Sequence, residues 1–404
     1  MAWGDGPLAG IKVVELAHIM AGPVCGLMLA DMGADVIKVE KVPDGDDSRR
    51  FLPPDIGGES AAFMMMNRNK RGIAVNLKDD GGKDVIKRML KSVDVVTENY
   101  RTGTMERLGL GYEELKKDNP GLIYCAITGF GRSGPYAERG GFDLIAQGMS
   151  GLMSITGEGP GRRLVKVGAP VTDITAGILG ALGVVSAYVQ KLKTGKGQQI
   201  DTSLFEAGIT HTYWQSAIGF ATGVAPKPMG SAHPLNAPYQ AFETKDGWIT
   251  VGAANQANWL RFLDVLERPK LAKDTRFTDN ASRMAHLTEL NDLLSDIFLE
   301  RTKGEWLELM EAAGVPAGPV LDVVEMHNDP HAIARGMVTE VKHGRLGSVK
   351  TLGCPVKFSE TPSGTIDGAP IYGQHTRAVL AEFGYADEEI KDLISDGAVI
   401  AADG

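Results

Sequence analysis

The sequence predicts an α/β protein: a parallel sheet covered on both faces, with a smaller α+β unit after it. Three observations carry the prediction. Short apolar runs alternate with helical segments up to about residue 205, and repeated βαβ units with apolar strands build a sheet buried on both sides. After that point the alternation stops, and Ala241-Phe242-Glu243-Thr244, a Lys245-Asp246-Gly247 turn and Trp248-Ile249-Thr250-Val251 read as an antiparallel hairpin. Finally, 404 residues are too many for one ordinary domain.

In order, strands are expected at 11–16, 35–40, 73–77, 94–97, 122–128 and 199–204. Helices are expected at 23–32, opened by Pro23, at 82–93, at 112–117 and from Asp173 onward. Ligands of such sheets sit outside the carboxyl ends of the strands. Residues 206–230 read as helix and then a Gly/Pro-bearing linker, and helices follow at 259–266, 283–299 and 303–313. Gly314-Val315-Pro316-Ala317-Gly318-Pro319-Val320 reads as a compact connector, and the tail, with a helix through Leu380, is expected to return to the first domain.

Composition excludes several classes. Hydrophobic residues at 43% and charged residues at 23% give ample core, and a formal net charge of −9 argues against nucleic acid or an anionic membrane as the main partner. Cys25, Cys125 and Cys354 form no CxxC pair and read as reduced core thiols of a cytoplasmic protein, not as a disulfide framework or zinc site. Residues 1–10 lack a basic stretch followed by an apolar one, so no signal peptide is expected. No apolar run is expected to reach membrane-spanning length. The longest candidate, 174–189, is studded with Gly and Ala and reads as a packed core helix.

Two motifs fail on context. Gly129-Phe130-Gly131-Arg132-Ser133-Gly134 fits G-x-G-x-x-G, but Pro135 follows at once and no helix begins there to hold a pyrophosphate. The first βα turn, Ala17-His18-Ile19-Met20-Ala21-Gly22-Pro23, lacks those glycines, so a nicotinamide site is rejected. His327 and His331 are four apart, but Pro330 breaks the helix between them and no third ligand is near, so no metal site is expected. The basic residues of Asn67-Arg68-Asn69-Lys70-Arg71, with Lys38, Lys41, Arg49, Arg101 and Arg107, are either surface charge or contacts for a polyphosphate ligand.

Asp173 lies in Gly168-Ala169-Pro170-Val171-Thr172-Asp173-Ile174-Thr175-Ala176-Gly177, a run of small residues opening a long apolar helix. The positive end of the helix dipole favours its ionised form. The plain reading is an N-cap. A carboxylate held by backbone N–H groups is also a preorganised nucleophile, and the two readings are compatible.

Together these pieces resemble the class III CoA-transferases, the CaiB–BaiF family. The resemblance is carried by Leu8-Ala9-Gly10-Ile11-Lys12-Val13-Val14-Glu15-Leu16, Ala21-Gly22-Pro23, Gly33-Ala34-Asp35-Val36-Ile37-Lys38-Val39-Glu40, Asn69-Lys70-Arg71 and Glu98-Asn99-Tyr100-Arg101. It continues through Arg107-Leu108-Gly109, Gly141-Phe142-Asp143, Thr194-Gly195-Lys196-Gly197-Gln198, Ile200-Asp201, Gly314-Val315-Pro316 and Gln374-His375-Thr376. No single motif decides; the ordered set, covering nearly the whole chain, is specific.

The resemblance implies a large Rossmann-like domain made from both chain ends, a small domain on two linkers, and two chains threaded through each other as an interlocked homodimer. The division it gives is 1–205 with 330–404, a linker 206–229, a small domain 230–313 and a linker 314–329. It implies that Asp173 is the nucleophile and that CoA is bound at Met20, Ala21, Lys41, Val75, Asn99, Tyr100 and Arg107. Lys41 stands where a relative carries Arg, which keeps a charge but not a bidentate contact. The family's glycine-rich loop over the site corresponds to Gly230-Ser231-Ala232-His233-Pro234, poorer in glycine here. Acyl-CoA and a carboxylic acid are the implied substrates, with no metal or prosthetic group.

The implied chemistry is exchange of CoA, possibly from succinyl-CoA, through a mixed anhydride and an aspartyl-CoA thioester. Racemases of α-methylacyl-CoA share the fold and use a His just before the Asp of a Gly-x-Asp segment; Phe142 stands there and cannot exchange a proton. Asp173 and Glu243 match both racemase carboxylate positions, so that reading stays open behind the transferase one. An inactive CoA-binding scaffold would need a degraded Asp173 loop, and this loop is intact. Arg162, Arg163 and Lys166 are either solvated surface or a contact for a dicarboxylate.

Overall fold

The computed structural model describes residues 5–402. Within them the chain forms two compact units: residues 5–151, Val167–His211 and 330–402 in one, Leu152–Lys166 and Thr212–Asp329 in the other.

The first unit is built on β1 (Lys12–Leu16), β2 (Asp35–Lys41), β3 (Lys70–Val75), β4 (Val95–Glu98), β5 (Ile123–Thr128) and β6 (Gln199–Ser203). All six run parallel in the order 3-2-1-4-5-6, and Val399–Ile400 adds an antiparallel edge beside β3. This is the Rossmann order, whose reversal between β1 and β4 opens a crevice at the carboxyl ends. The strands of the interior read as apolar runs because both faces are covered: Val13, Val14, Val36, Ile37, Ile73, Val95 and Val96 are fully buried. β3 begins earlier than expected, at Lys70, because this lysine is itself buried and ion-paired.

Helices α1 (Ala21–Asp31), α2 (Asp80–Leu90), α3 (Asp143–Met149), α4 (Val171–Thr194) and α5 (Leu204–Thr210) are the ones that matter for the site. α1 is buried on nearly every side and shows no polar face. α4 packs on it through glycine: a Cβ at Gly177 would lie 2.6 Å from the Ala21 carbonyl oxygen and 2.7 Å from Val24 Cβ. At 24 residues and mean hydropathy 1.5, α4 is long and apolar enough to cross a membrane, against expectation, because it extends past 174–189 at both ends. Its inner residues, Ala176, Ala181, Val184 and Ala187, belong to the core of the first unit.

The second unit holds a three-stranded antiparallel sheet in the order Ala317–Pro319, Gly247–Gly252, Tyr239–Thr244. Its core is aromatic, with Phe242 stacked on Phe298 at 4.5 Å and Trp259, Phe262 and Trp306 buried around them. The helix read after residue 206 is present and ends with Tyr213–Thr222, before the Gly/Pro-bearing stretch. Two boundaries depart from the sequence reading. Residues 314–329 are no bare linker, since Ala317–Pro319 completes the sheet. Residues 152–166 belong with the second unit, where the Gly157 carbonyl accepts the Gly230 N–H at 2.9 Å. The hairpin Val338–His343 with Gly347–Leu352, in the first unit, was not anticipated.

Candidate active site

The turn after β1 is fixed by buried charge. Lys38 Nζ, fully buried, contacts Glu15 at 3.1 Å and Asp46 at 2.8 Å and donates to the Ala17 carbonyl at 2.9 Å. Glu15 also pairs with Lys70 at 2.8 Å. Burial alone would lower the Lys38 pKa, but the carboxylates of Asp46 and Glu15 hold it above its ordinary value. Burial does prevail at Lys70, which falls to about 8. Asp46 in turn accepts the Ile19 N–H at 3.1 Å. Ile19 sits at φ 67°, a conformation that costs a β-branched residue about 1–3 kcal/mol and persists only when its surroundings impose it.

Across the crevice, Asn99 follows β4 and exchanges two hydrogen bonds with the His18 backbone, accepting its N–H at 3.0 Å and donating to its carbonyl at 2.8 Å. The His18 ring stacks on Tyr100 at 5.6 Å. The Tyr100 N–H is held at 2.8 Å by Glu98, whose carboxyl burial pushes up to about 7.

These loops wall a cavity of about 470 Å³ at the switch point, lined by residues 18–21 after β1, 99–102 after β4, Thr128 and Gly129 at the end of β5, 139–142 and Asp173. Gly129 and Gly141 are glycines for a reason unrelated to a dinucleotide motif. A Cβ on either would come within 2.7 Å of the other's Cα, so only glycine lets the 140s loop close on β5.

Asp173 is not the N-cap. It is the third residue of α4, and Pro170 stands at the cap position without a side-chain bond. Asp143 does the capping: its Oδ1 accepts from the Thr172 N–H at 3.0 Å and the Thr172 hydroxyl at 2.8 Å. The expectation that the dipole keeps Asp173 ionised is also reversed. Its carboxyl is pushed up to about 7, by burial first and by the Asp143 carboxylate second. Desolvation outweighs a helix end that contributes roughly 0.3–1 kcal/mol.

Of the expected residues, Met20, Ala21, Asn99, Tyr100, Phe142 and Asp173 meet in this cavity. Lys41 and Arg107 do not line it but reach residues that do: Lys41 pairs with Asp47 at 2.6 Å, and Arg107 donates to the Thr104 hydroxyl at 2.9 Å. Val75 is the last residue of β3; it does not line this cavity, and its side chain is fully buried in the sheet core, which leaves only its backbone for a ligand. Gly230, Ser231, Ala232, His233 and Glu243 belong to the second unit. There His233 stacks on Tyr239 at 5.2 Å, Ser231 accepts the Ala241 N–H at 3.0 Å, and Glu243 is exposed on its strand.

Lys38, Arg68 and Lys70 are corrected as well. They are buried and ion-paired, Arg68 to Asp31, and Arg68 and Lys70 stand at the amino end of β3, away from the ligand edge. His327 and His331 fall in separate helices, and no cluster fit to hold a metal occurs among the described residues. Arg101, one of the basic residues read as surface charge or a polyphosphate contact, lines the cavity, and so do His18, Asp47 and Arg139, to which no role was given. Asp143 was visible only as the last residue of Gly141-Phe142-Asp143.

A cavity at the Rossmann switch point, lined by the half-buried Asp173 together with the first βα turn, fits the match of the family model for CoA-transferase family III to residues 8–376. The chain belongs to that family. It is 38% identical over 397 residues to the succinyl-CoA:glutarate CoA-transferase of Homo sapiens, covering 97% of this chain and 90% of that one. It is 37% identical over 386 residues to the acetyl-CoA:oxalate CoA-transferase of Acetobacter aceti, covering 94% and 96%. A CaiB/BaiF family protein from Brucella suis superposes with a TM-score of 0.83 at 40% identity, over 94% of this chain and all of that one. This class III CoA-transferase is therefore an enzyme that uses CoA thioesters.

Proposed function

We propose that this CoA-transferase moves CoA from an acyl-CoA, with succinyl-CoA as a donor, to a free carboxylic acid through covalent intermediates on Asp173. The observation that carries this reading is the placement of Asp173 in the same cavity as the β1 and β4 turns. The relatives that act on succinyl-CoA support the donor.

In this reading an Asp173 oxygen attacks the thioester carbonyl, the C–S bond breaks and CoA thiolate leaves a mixed anhydride. The thiolate attacks the Asp173 carbonyl carbon of that anhydride, releasing the donor acid and leaving an aspartyl-CoA thioester. The acceptor carboxylate attacks that thioester, expelling thiolate, which then takes the acyl group of the new anhydride and frees Asp173. No proton is gained or lost over the cycle, so one carboxylate suffices. Backbone N–H groups at the start of α1, which has no side-chain cap, are placed to hold developing oxyanions. Lys41 and Arg107 meet the CoA phosphates from the cavity's rim.

We propose the interlocked homodimer as the working form. What supports a second copy is the apolar stripe of α4 left open in one chain, with Leu182 61% and Leu192 71% exposed beside Ile178 and Val189.

The test is incubation with succinyl-CoA, a panel of acids and 2-methylacyl-CoA in heavy water, followed by mass detection. New thioesters without α-deuteration are expected. Enzyme-dependent α-deuteration without acid-to-acid transfer would make the protein a racemase.

A further inference from the structure

Resting on the assignment of Asp173 as nucleophile, the structure points further: we infer that Asp143 is the positioning residue of this site, clamping the start of α4 so that the next residue presents its carboxylate to the cavity. Asp143 does not itself line the cavity. It opens α3 and uses both of its oxygens. Oδ1 takes the two hydrogen bonds from Thr172, and Oδ2 accepts from Gln147 Nε2 at 2.7 Å. Gln147 extends the brace, its Oε1 accepting the Val167 N–H at 2.9 Å. Gln147 and Thr172 are fully buried, so these bonds form away from competing water.

The consequence is geometric. Residues 167–170 form a loop leading into α4, and Gln147 at its start and Asp143 at the first turn of α4 pin both to one helix. Thr172 immediately precedes Asp173, so its fixed N–H and hydroxyl set the direction from which α4 starts. Phe142, the N-cap of α3 and 70% exposed, lines the cavity on the residue before Asp143. One carboxylate thus ties the helix that carries the nucleophile to the segment that carries Phe142.

The brace is also charged. Asp143 is the charged neighbour that acts on Asp173, raising its pKa beyond the effect of burial. The other titratable or charged groups around the cavity are His18, Asp47, Tyr100, Arg101 and Arg139, and His211 stands on Thr175 at 2.8 Å. Replacing Asp143 by Asn keeps an acceptor for Thr172 and removes the charge; replacing it by Ala removes both.

The experiment compares wild type, Asp143→Asn, Asp143→Ala and Asp173→Asn, each checked for folding by circular dichroism. kcat is followed across pH 5–9, with CoA affinity by equilibrium titration. Asp143→Ala is expected to lose roughly a hundredfold in kcat, the scale of a small misplacement of a reacting group, with CoA affinity within about threefold of wild type. Asp143→Asn is expected to keep most of kcat at high pH while its acidic limb moves to lower pH. A merely structural residue would leave that limb in place. A folded Asp143→Ala enzyme with wild-type kcat, or an unmoved limb in Asp143→Asn, overturns the inference. If Asp173→Asn still transfers CoA, the nucleophile assignment fails instead, whatever the Asp143 variants do. Should Asp143→Ala not fold, the limb of Asp143→Asn decides alone.

Discussion

At the scale of single residues, the site's character rests on how burial treats its carboxylates. Asp173 is held up to about 7 where an exposed Asp would sit near 4. The sign follows directly. Below that value the group is protonated and a poor nucleophile, so kcat should rise with pH through about 7 and then level off. Stability should run the other way. Between the ordinary Asp value and about 7 the folded state binds more protons than the unfolded one, so folding weakens as pH rises through that window. Asp173→Asn is therefore expected to abolish transfer yet fold more stably than wild type at pH 8, by about 1–3 kcal/mol. At pH 4 the two should unfold together. Urea titrations at both pH values check this.

Secondary-structure elements show which parts of the site were legible from residues. The βαβ alternation identified the six parallel strands, and the small-residue run around Asp173 marked the start of α4, because both are local patterns. What was illegible depended on register. Glu15 and Lys38 sit directly opposite in paired strands, so their charges meet inside the core instead of at a ligand. In sequence Lys38 looked like any strand-end lysine. Asp143 was missed because its partner Thr172 is 29 residues away. Lys38→Met should cost about 3–5 kcal/mol by leaving Glu15 and Asp46 short of a partner. It should also weaken CoA binding, because the Ala17 and Ile19 backbone loses its anchor. Chemical denaturation and CoA titration measure the two effects separately. Gly177→Val should destabilise by about 1–3 kcal/mol or more through overpacking, as its side chain would meet α1 backbone.

Taken whole, the molecule joins a Rossmann-ordered unit to an aromatic α+β unit, and the open stripe on α4 belongs to the first. A chain that left Leu182 and Leu192 in water would be prone to association. A dimer is expected in light scattering at micromolar concentration, and Leu182→Glu with Leu192→Glu should shift it toward monomer. A wild-type protein that stays monomeric would remove the dimer from the proposal without touching the chemistry. Covalent transfer through Asp173 is open to direct trapping. Enzyme turning over succinyl-CoA is treated with hydroxylamine or borohydride, digested and mapped by mass spectrometry. One modified peptide is expected, altered at Asp173, that appears only with the thioester and is absent from Asp173→Asn. Turnover with Asp173 unlabelled, or a label on another residue, would contradict it.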